Sequence, residues 1–220
     1  MAVKMEVWGN FACFSRPEMK VERVSYDVMT PSAARGMLEA VYWHPGLQWH
    51  IDNIYVLAPI QMTNIRRNEV QSKVLGNSVR AAMTGGRTEL YINTSKDIVQ
   101  RASLVLQDVR YVIEAHFTLT EKAAAGDNPG KFQDIIKRRA EKWQFYHQPY
   151  FGTREFPVNF KLCDSMPECP KELLGERDLG WMLLDMDYSD PSDIKPVFFR
   201  AVMKDGVLDV PPMRGKGVAR

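Results

Sequence analysis

The chain has 220 residues, 45% hydrophobic and 25% charged, with a formal net charge of +2. This is ordinary globular composition for one large domain or two small ones, and it excludes a wholly disordered chain. No apolar run approaches the ~18 residues of a membrane span. Val3-Lys4-Met5-Glu6 carries charges where a signal peptide is apolar, so a soluble, cytoplasmic protein with no membrane partner is expected.

Val3 to Trp8 alternates apolar and charged residues, the period of a half-buried strand, and Gly9 ends it. Thr30-Pro31 is a helix start, a hydroxyl N-cap before proline. Ala34, Met37, Leu38 and Val41 then share one face, and Pro45-Gly46 stops the helix near Trp43. Trp49–Leu57 and Ile60–Arg67 read as strands. Between Val70 and Asp97, Gly76, Gly85 and Gly86 suggest a long mobile loop.

Leu104 to Leu119 is β-rich. Its second half turns Val109, Tyr111, Ile113, Ala115, Phe117 and Leu119 to one face, and Arg110, Val112, Glu114, His116 and Thr118 to the other. Asp127-Asn128-Pro129-Gly130 opens a helix whose apolar stripe is Phe132, Ile135, Ile136, Ala140 and Trp143. Val158–Leu162, Gly180–Met186 and Val197–Met203 read as strands, with Asp205-Gly206 a hairpin turn. The basic, glycine-rich tail from Arg214 to Arg220 is expected to be flexible. This order suits an α+β protein with a ferredoxin-like N-terminal domain and a small antiparallel β domain after it.

Charge is uneven. Residues 164–193 carry nine acidic and two basic side chains, whereas 61–110, 131–142 and 194–220 are each net basic. Such a pattern suits either a solvated surface or a polyanion-binding one with its acidic region turned elsewhere. Cys13, Cys163 and Cys169 have no nearby histidine, and His44, His50, His116 and His147 lack metal-ligand spacing, so no metal and no cofactor is expected.

Three sets of residues carry possible chemistry. His116 falls on the polar face of its strand, as an accessible imidazole suited to general acid or base work. Glu114, on the same face, is its expected charged neighbour. Tyr42, with Trp43 and His44, makes an aromatic cluster at a helix end, of a kind that closes cores and also stacks bases. Arg66, Arg67, Lys73, Arg80 and Arg87, joined by Lys137, Arg138 and Arg139 of the second helix, supply forks and ammonium groups for phosphate.

Several ordered stretches carry a family resemblance: Glu6-Val7-Trp8-Gly9, Ser25-Tyr26-Asp27-Val28-Met29-Thr30-Pro31, Glu39-Ala40-Val41-Tyr42-Trp43-His44-Pro45, Ile65-Arg66-Arg67-Asn68-Glu69, Ala115-His116-Phe117 and Gly152-Thr153-Arg154-Glu155-Phe156. Together they resemble the fifth CRISPR-associated protein family, subtype d of type I-C systems, in the RAMP superfamily. The resemblance implies an RNA-recognition-type (RRM-like), ferredoxin-like domain over residues 1–150 and a β domain over 151–220. It also implies a metal-independent endoribonuclease that matures CRISPR repeat RNA by 2′-OH attack, holds the 5′ handle, and joins other Cas subunits in the type I-C surveillance complex. Tyr42 and His116 match the family's catalytic tyrosine and histidine. The family's lysine near that histidine is absent, since Glu114 and Ala115 precede His116. His44, or an arginine such as Arg66 or Arg67, is then the expected substitute. The remaining readings are a non-catalytic handle-binding subunit and a double-stranded DNA binder using the same basic surface.

Overall fold

The computed structural model describes residues 2–19, 21–86, 90–163, 165, 167–215 and 217–219. It is an α+β protein with a mostly antiparallel sheet and few helices. Its spine is β5 (Ile98–Leu119), which is flanked over its second half by β1 (Val3–Ala12) on one side and β3 (Leu47–Val56) on the other. Outside β1 lies β6 (Asn159–Leu162), so the central order is β6-β1-β5-β3, antiparallel at each step. The first half of β5 pairs instead with β4 (Met62–Val70) and, in parallel, with the short β2 (Arg23–Val24), building an arm.

Alternation decides the layers. Val3, Met5 and Val7 of β1 face the same side as Ile113 and Ala115, and all are buried. Two helices cover that side. In α1 (Pro31–Val41) the Thr30 hydroxyl accepts the Ala33 N–H at 3.3 Å, and in α3 (Pro129–Glu141) the Asn128 carboxamide oxygen accepts the Lys131 N–H at 2.9 Å. Both caps satisfy amides that the helix cannot, which is why both helices start where the sequence says. Trp143 is not on the α3 stripe. It lies past the helix end at φ +53°, half-exposed, its ring 5.2 Å from Phe160.

The C-terminal strands extend the same sheet. β7 (Glu176–Asp187) pairs with β8 (Lys195–Lys204), and β8 turns into β9 (Val207–Asp209) through Asp205 and Gly206, both at positive φ as a type I′ hairpin needs. β9 pairs with β3, and β7 packs back on α1, where Arg35 grips both oxygens of Asp185 at 2.6 and 2.9 Å. In the tail, Val218–Ala219 form β10 against Phe198 and Phe199, so this part is a paired strand and not a loose end.

The glycine-rich stretch after β4 also departs from the expected loop. Gly76–Met83 is a helix, α2, and the glycines are its boundaries: Gly85, at φ +84°, and Gly86 return N–H bonds to Ala82 and Ala81. None of its side chains is buried. Among the described residues, no helix is long and apolar enough to cross a membrane.

Candidate active site

His116 lies near the end of β5, directly opposite His50 of β3, and the two rings stack at 4.9 Å and 18°. Between Ile51 and Asn53 the β3 register shifts, and such a bulge re-aims the extra side chain. That side chain is Asp52. Its two oxygens stand 2.8 and 2.9 Å from the His116 Nδ1. A carboxylate there accepts a hydrogen bond, so Nδ1 carries the hydrogen, and in that tautomer the lone pair lies on Nε2. Asp52 is thus the carboxylate partner of His116, in place of Glu114. Glu114 instead accepts from the Tyr55 hydroxyl at 2.6 Å and Asn53 at 3.1 Å, and pairs with Lys4 at 3.2 Å. Burial pushes the Glu114 carboxyl up, but these donors outweigh it and hold it below its ordinary range. The Tyr55 phenol, buried against that charge, is pushed up to about 12.

His50 places Nε2 2.9 Å from the Thr118 hydroxyl. Burial, then the neighbouring His116, lowers its pKa against the pull of Asp52, so His50 stays neutral at physiological pH.

β3 meets β9 only over Asn53–Tyr55, which leaves Leu47–Ile51 with an open edge. A cleft of about 910 Å³ runs along that edge. His50, Asp52 and His116 form one wall, with Trp43, Lys122 and Arg214 around them. Lys122 follows β5 on an exposed turn, the cation nearest in sequence after His116.

Tyr42 and His44 pack elsewhere. The Tyr42 ring is buried against Phe132 at 6.0 Å, with the Arg139 guanidinium 5.4 Å above it, and its carbonyl accepts the Trp49 indole N–H. Burial raises its phenol pKa, which keeps the hydroxyl protonated. His44 uses Nδ1 to accept the Gly46 N–H at 3.0 Å and lies 5.1 Å from Phe132. Phe132 also meets Phe117, so these rings stand on the face of β5 away from His116. The exposed Trp43 between them is the one that turns into the cleft.

The basic set divides similarly. Arg66 is exposed on β4, but Arg67 bonds Glu155 and Ser103 in a network with Glu69, Arg23 and Arg101. Arg66 and Arg67 pair with Ala102 and Arg101 of β5. That is roughly 45 Å of strand path from His116 at ~3.3 Å per residue. The structure therefore places Arg66 and Arg67 on the arm and does not bring them together with His116. Lys73 and Arg80 lie further out on the arm, and Arg87 lies outside the described residues. Lys137 and Arg138 are exposed on α3, whereas Arg139 donates to the Val41 carbonyl at 2.7 Å and closes the end of α1.

Asp52 and His50 escaped the sequence reading. Their signal was present, since residues two apart on one strand share a face, but it acquires meaning only once β3 is registered against β5.

These features belong to a CRISPR-associated protein of the Cas5 class, whose family model, described as CRISPR-associated protein (Cas_Cas5), matches residues 2–211. The CRISPR pre-crRNA endoribonuclease Cas5d of Mannheimia succiniciproducens is 49% identical over 99% of this chain and 98% of that protein. The protein of the same name from Thermus thermophilus is 39% identical over 95% and 91%. The chain belongs to the Cas5d family. Two solved structures share its fold at a TM-score of 0.69, each covering 100% of this chain and 97% of the other: a CRISPR-associated protein at 23% identity, and the functionally uncharacterized SMU1763c of Streptococcus mutans at 21%.

Proposed function

We propose that this chain is a metal-independent pre-crRNA endoribonuclease that cuts CRISPR repeat RNA and keeps the 5′ handle as a subunit of the type I-C surveillance complex. The observation that carries the reading is the His116 imidazole, held by Asp52 through Nδ1 in the wall of an open cleft. Near-full-length likeness to two proteins named as such enzymes supports it.

In this reading Nε2 of His116 takes the proton of a ribose 2′-OH, and Asp52 stabilises the imidazolium that forms. The oxygen attacks the adjacent phosphorus as the P–O5′ bond breaks, and the 5′-oxygen takes a proton from solvent water, to which the imidazolium returns its own, giving a 2′,3′-cyclic phosphate and a 5′-OH. Lys122 places positive charge beside the pentacoordinate phosphorus. Tyr42, protonated because it is buried, acts as a hydrogen-bond donor and not as a base, with His44 beside it.

The antiparallel order β6-β1-β5-β3, with α1 and α3 on one face, supports reading residues 1–150, completed by β6, as a ferredoxin-like processing domain with the β4–α2 arm inserted. Residues 151–220 are the β domain that closes the cleft. The three free cysteines suit a cytoplasmic site of action.

The test is incubation with cognate repeat RNA in EDTA, alongside the same RNA carrying one 2′-deoxy sugar at the scissile position. Cutting of the first alone supports the reading. Tight binding with no cutting of either replaces it with a handle-binding subunit, and cutting of both removes the 2′-OH mechanism.

A further inference from the structure

On the other side of Trp43 from the His116 cleft lies a second cavity, of about 840 Å³. Its size falls within the ~300–1,000 Å³ of small-ligand sites. One wall is α1, another the stretch around Phe14 and Tyr26, and the third the segment Tyr146–Gly152 after α3. Aromatic rings stand in all three walls. Tyr146 is 88% exposed and Trp43 61%, so two large flat faces are open at the rim. Tyr146, His147 and Tyr150 follow one another at ring distances of 6.0 and 6.1 Å, and the Arg16 guanidinium stands 4.6 Å over Tyr26. Between the rings, the Ser15 and Ser32 hydroxyls and the Arg139 side chain supply polar edges.

The cavity is fastened in place. The Tyr146 N–H donates to the Ala40 carbonyl at 2.8 Å, and the Cys13 N–H to the Phe151 carbonyl at 3.0 Å. Gly152, at φ +79°, packs so closely on the Cys13 carbonyl that an added Cβ would clash with its oxygen. A pre-formed wall loses little freedom on binding. Exposed aromatic faces with hydroxyl and guanidinium groups between them match one chemistry best, a flat heterocycle with donors and acceptors on its edge, attached to a phosphate. Trp43 and Glu39 line both this cavity and the cleft, so a strand lying across Trp43 enters both.

We propose that this cavity binds one or two unpaired nucleobases of the RNA whose backbone passes His116, stacked on Tyr146 and Trp43. The proposal rests on the endoribonuclease reading and adds where an unpaired base is held.

The experiment uses His116→Ala protein, so that RNA stays intact, and repeat RNAs with 2-aminopurine placed in turn at each unpaired position flanking the cut. One or two adjacent positions should be quenched on binding. Tyr146→Ala in that background should abolish the quenching and weaken binding about five- to a hundredfold. Tyr146→Phe, which keeps the ring, should restore both, and melting temperatures should match, because Tyr146 is exposed. If the parent protein binds and cuts the RNA, yet no position is quenched or Tyr146→Ala binds as tightly, the cavity proposal falls and the enzyme reading stands. If the parent protein neither binds nor cuts the RNA, both fall.

Discussion

Asp52→Asn tests whether His116 works as a carboxylate-held base. The substitution keeps the size of the side chain and removes its charge. In the native chain the Nδ1 proton is shared by two oxygens at 2.8 and 2.9 Å. A hydrogen bond to a charged group contributes ~1.5–3 kcal/mol and a neutral one ~0.5–1.5, so the change removes about 1–1.5 kcal/mol from the imidazolium formed in the transition state. Both side chains are partly exposed, at 44% and 35%, and solvent screening keeps the figure at the lower end. At ~1.4 kcal/mol per factor of ten, single-turnover cleavage should slow about fivefold.

Asparagine also offers an N–H to Nδ1. Accepting it would move the ring proton to Nε2 and deepen the loss. Binding should move the other way. Removing a negative charge beside the RNA backbone leaves the affinity unchanged or slightly raised, so the rate falls while Kd does not rise. The decisive comparison is the cycle with His116→Ala. If Asp52 acts through the imidazole, Asp52→Asn adds nothing once His116 is gone. A full additional fivefold loss in the His116→Ala background would refute the reasoning, as would a wild-type rate for Asp52→Asn alone.

Tyr42→Phe should keep the melting temperature, because the ring packing on Phe132 and Arg139 is unchanged, yet slow cleavage about tenfold through the lost donor; a wild-type rate removes Tyr42 from the chemistry. Arg66→Ala should lower RNA affinity and reduce the salt slope by about 0.7–0.9 without changing stability, whereas Arg67→Ala should lower the melting temperature, because it removes the hydrogen bonds to Glu155 and to the buried Ser103 that join β4, β5 and the Glu155 turn. Equal melting temperatures would contradict that division. Burial pushes the Glu6 carboxyl up, but Arg110 at 2.7 Å and Lys161 at 3.2 Å outweigh it and hold it below its ordinary value of 4.5. Its stabilisation is therefore present above that value and fades as pH falls through the folded-state pKa. Glu6→Gln should cost about 1–2 kcal/mol near neutrality and progressively less in acid; a pH-independent difference in denaturation would exclude this account. Gly152→Ala should cost more than about 3 kcal/mol by combining a strained φ with a clash against Cys13. Helical Gly36, with open space around it, should accept alanine without loss, and equal stability of the two variants would overturn the contrast.

What was legible in the sequence was what neighbours in the chain decide. Thr30-Pro31, Asn128-Pro129 and Asp205-Gly206 act within four residues, and each produced its cap or turn. Alternation along β5 placed His116 on the accessible face for the same reason. Ile98–Ser103 of β5 was missed because it stands in an arm with little burial on either face, where alternation has no core to report. α2 was missed because it buries nothing and its glycines read as loop. Asp52 was hidden by distance, lying 64 positions from His116 until a bulge in β3 turns it inward. Glu114 looked nearer only because the sequence conceals Tyr55, Asn53 and Lys4, which hold it.

The same register explains why the absent lysine need not mean an absent activity. The position before His116 points to the opposite face of β5. There Ala115 is fully buried, paired with Val3 of β1 on one side and Ile51 of β3 on the other. An ammonium group at that site would lie among apolar side chains with no carboxylate to meet it, at a cost of several kcal/mol. Packing in this chain therefore requires a small apolar residue before His116, and the positive charge has to come from elsewhere. In the proposed mechanism that charge is Lys122, on the exposed turn after β5 and in the lining of the His116 cleft.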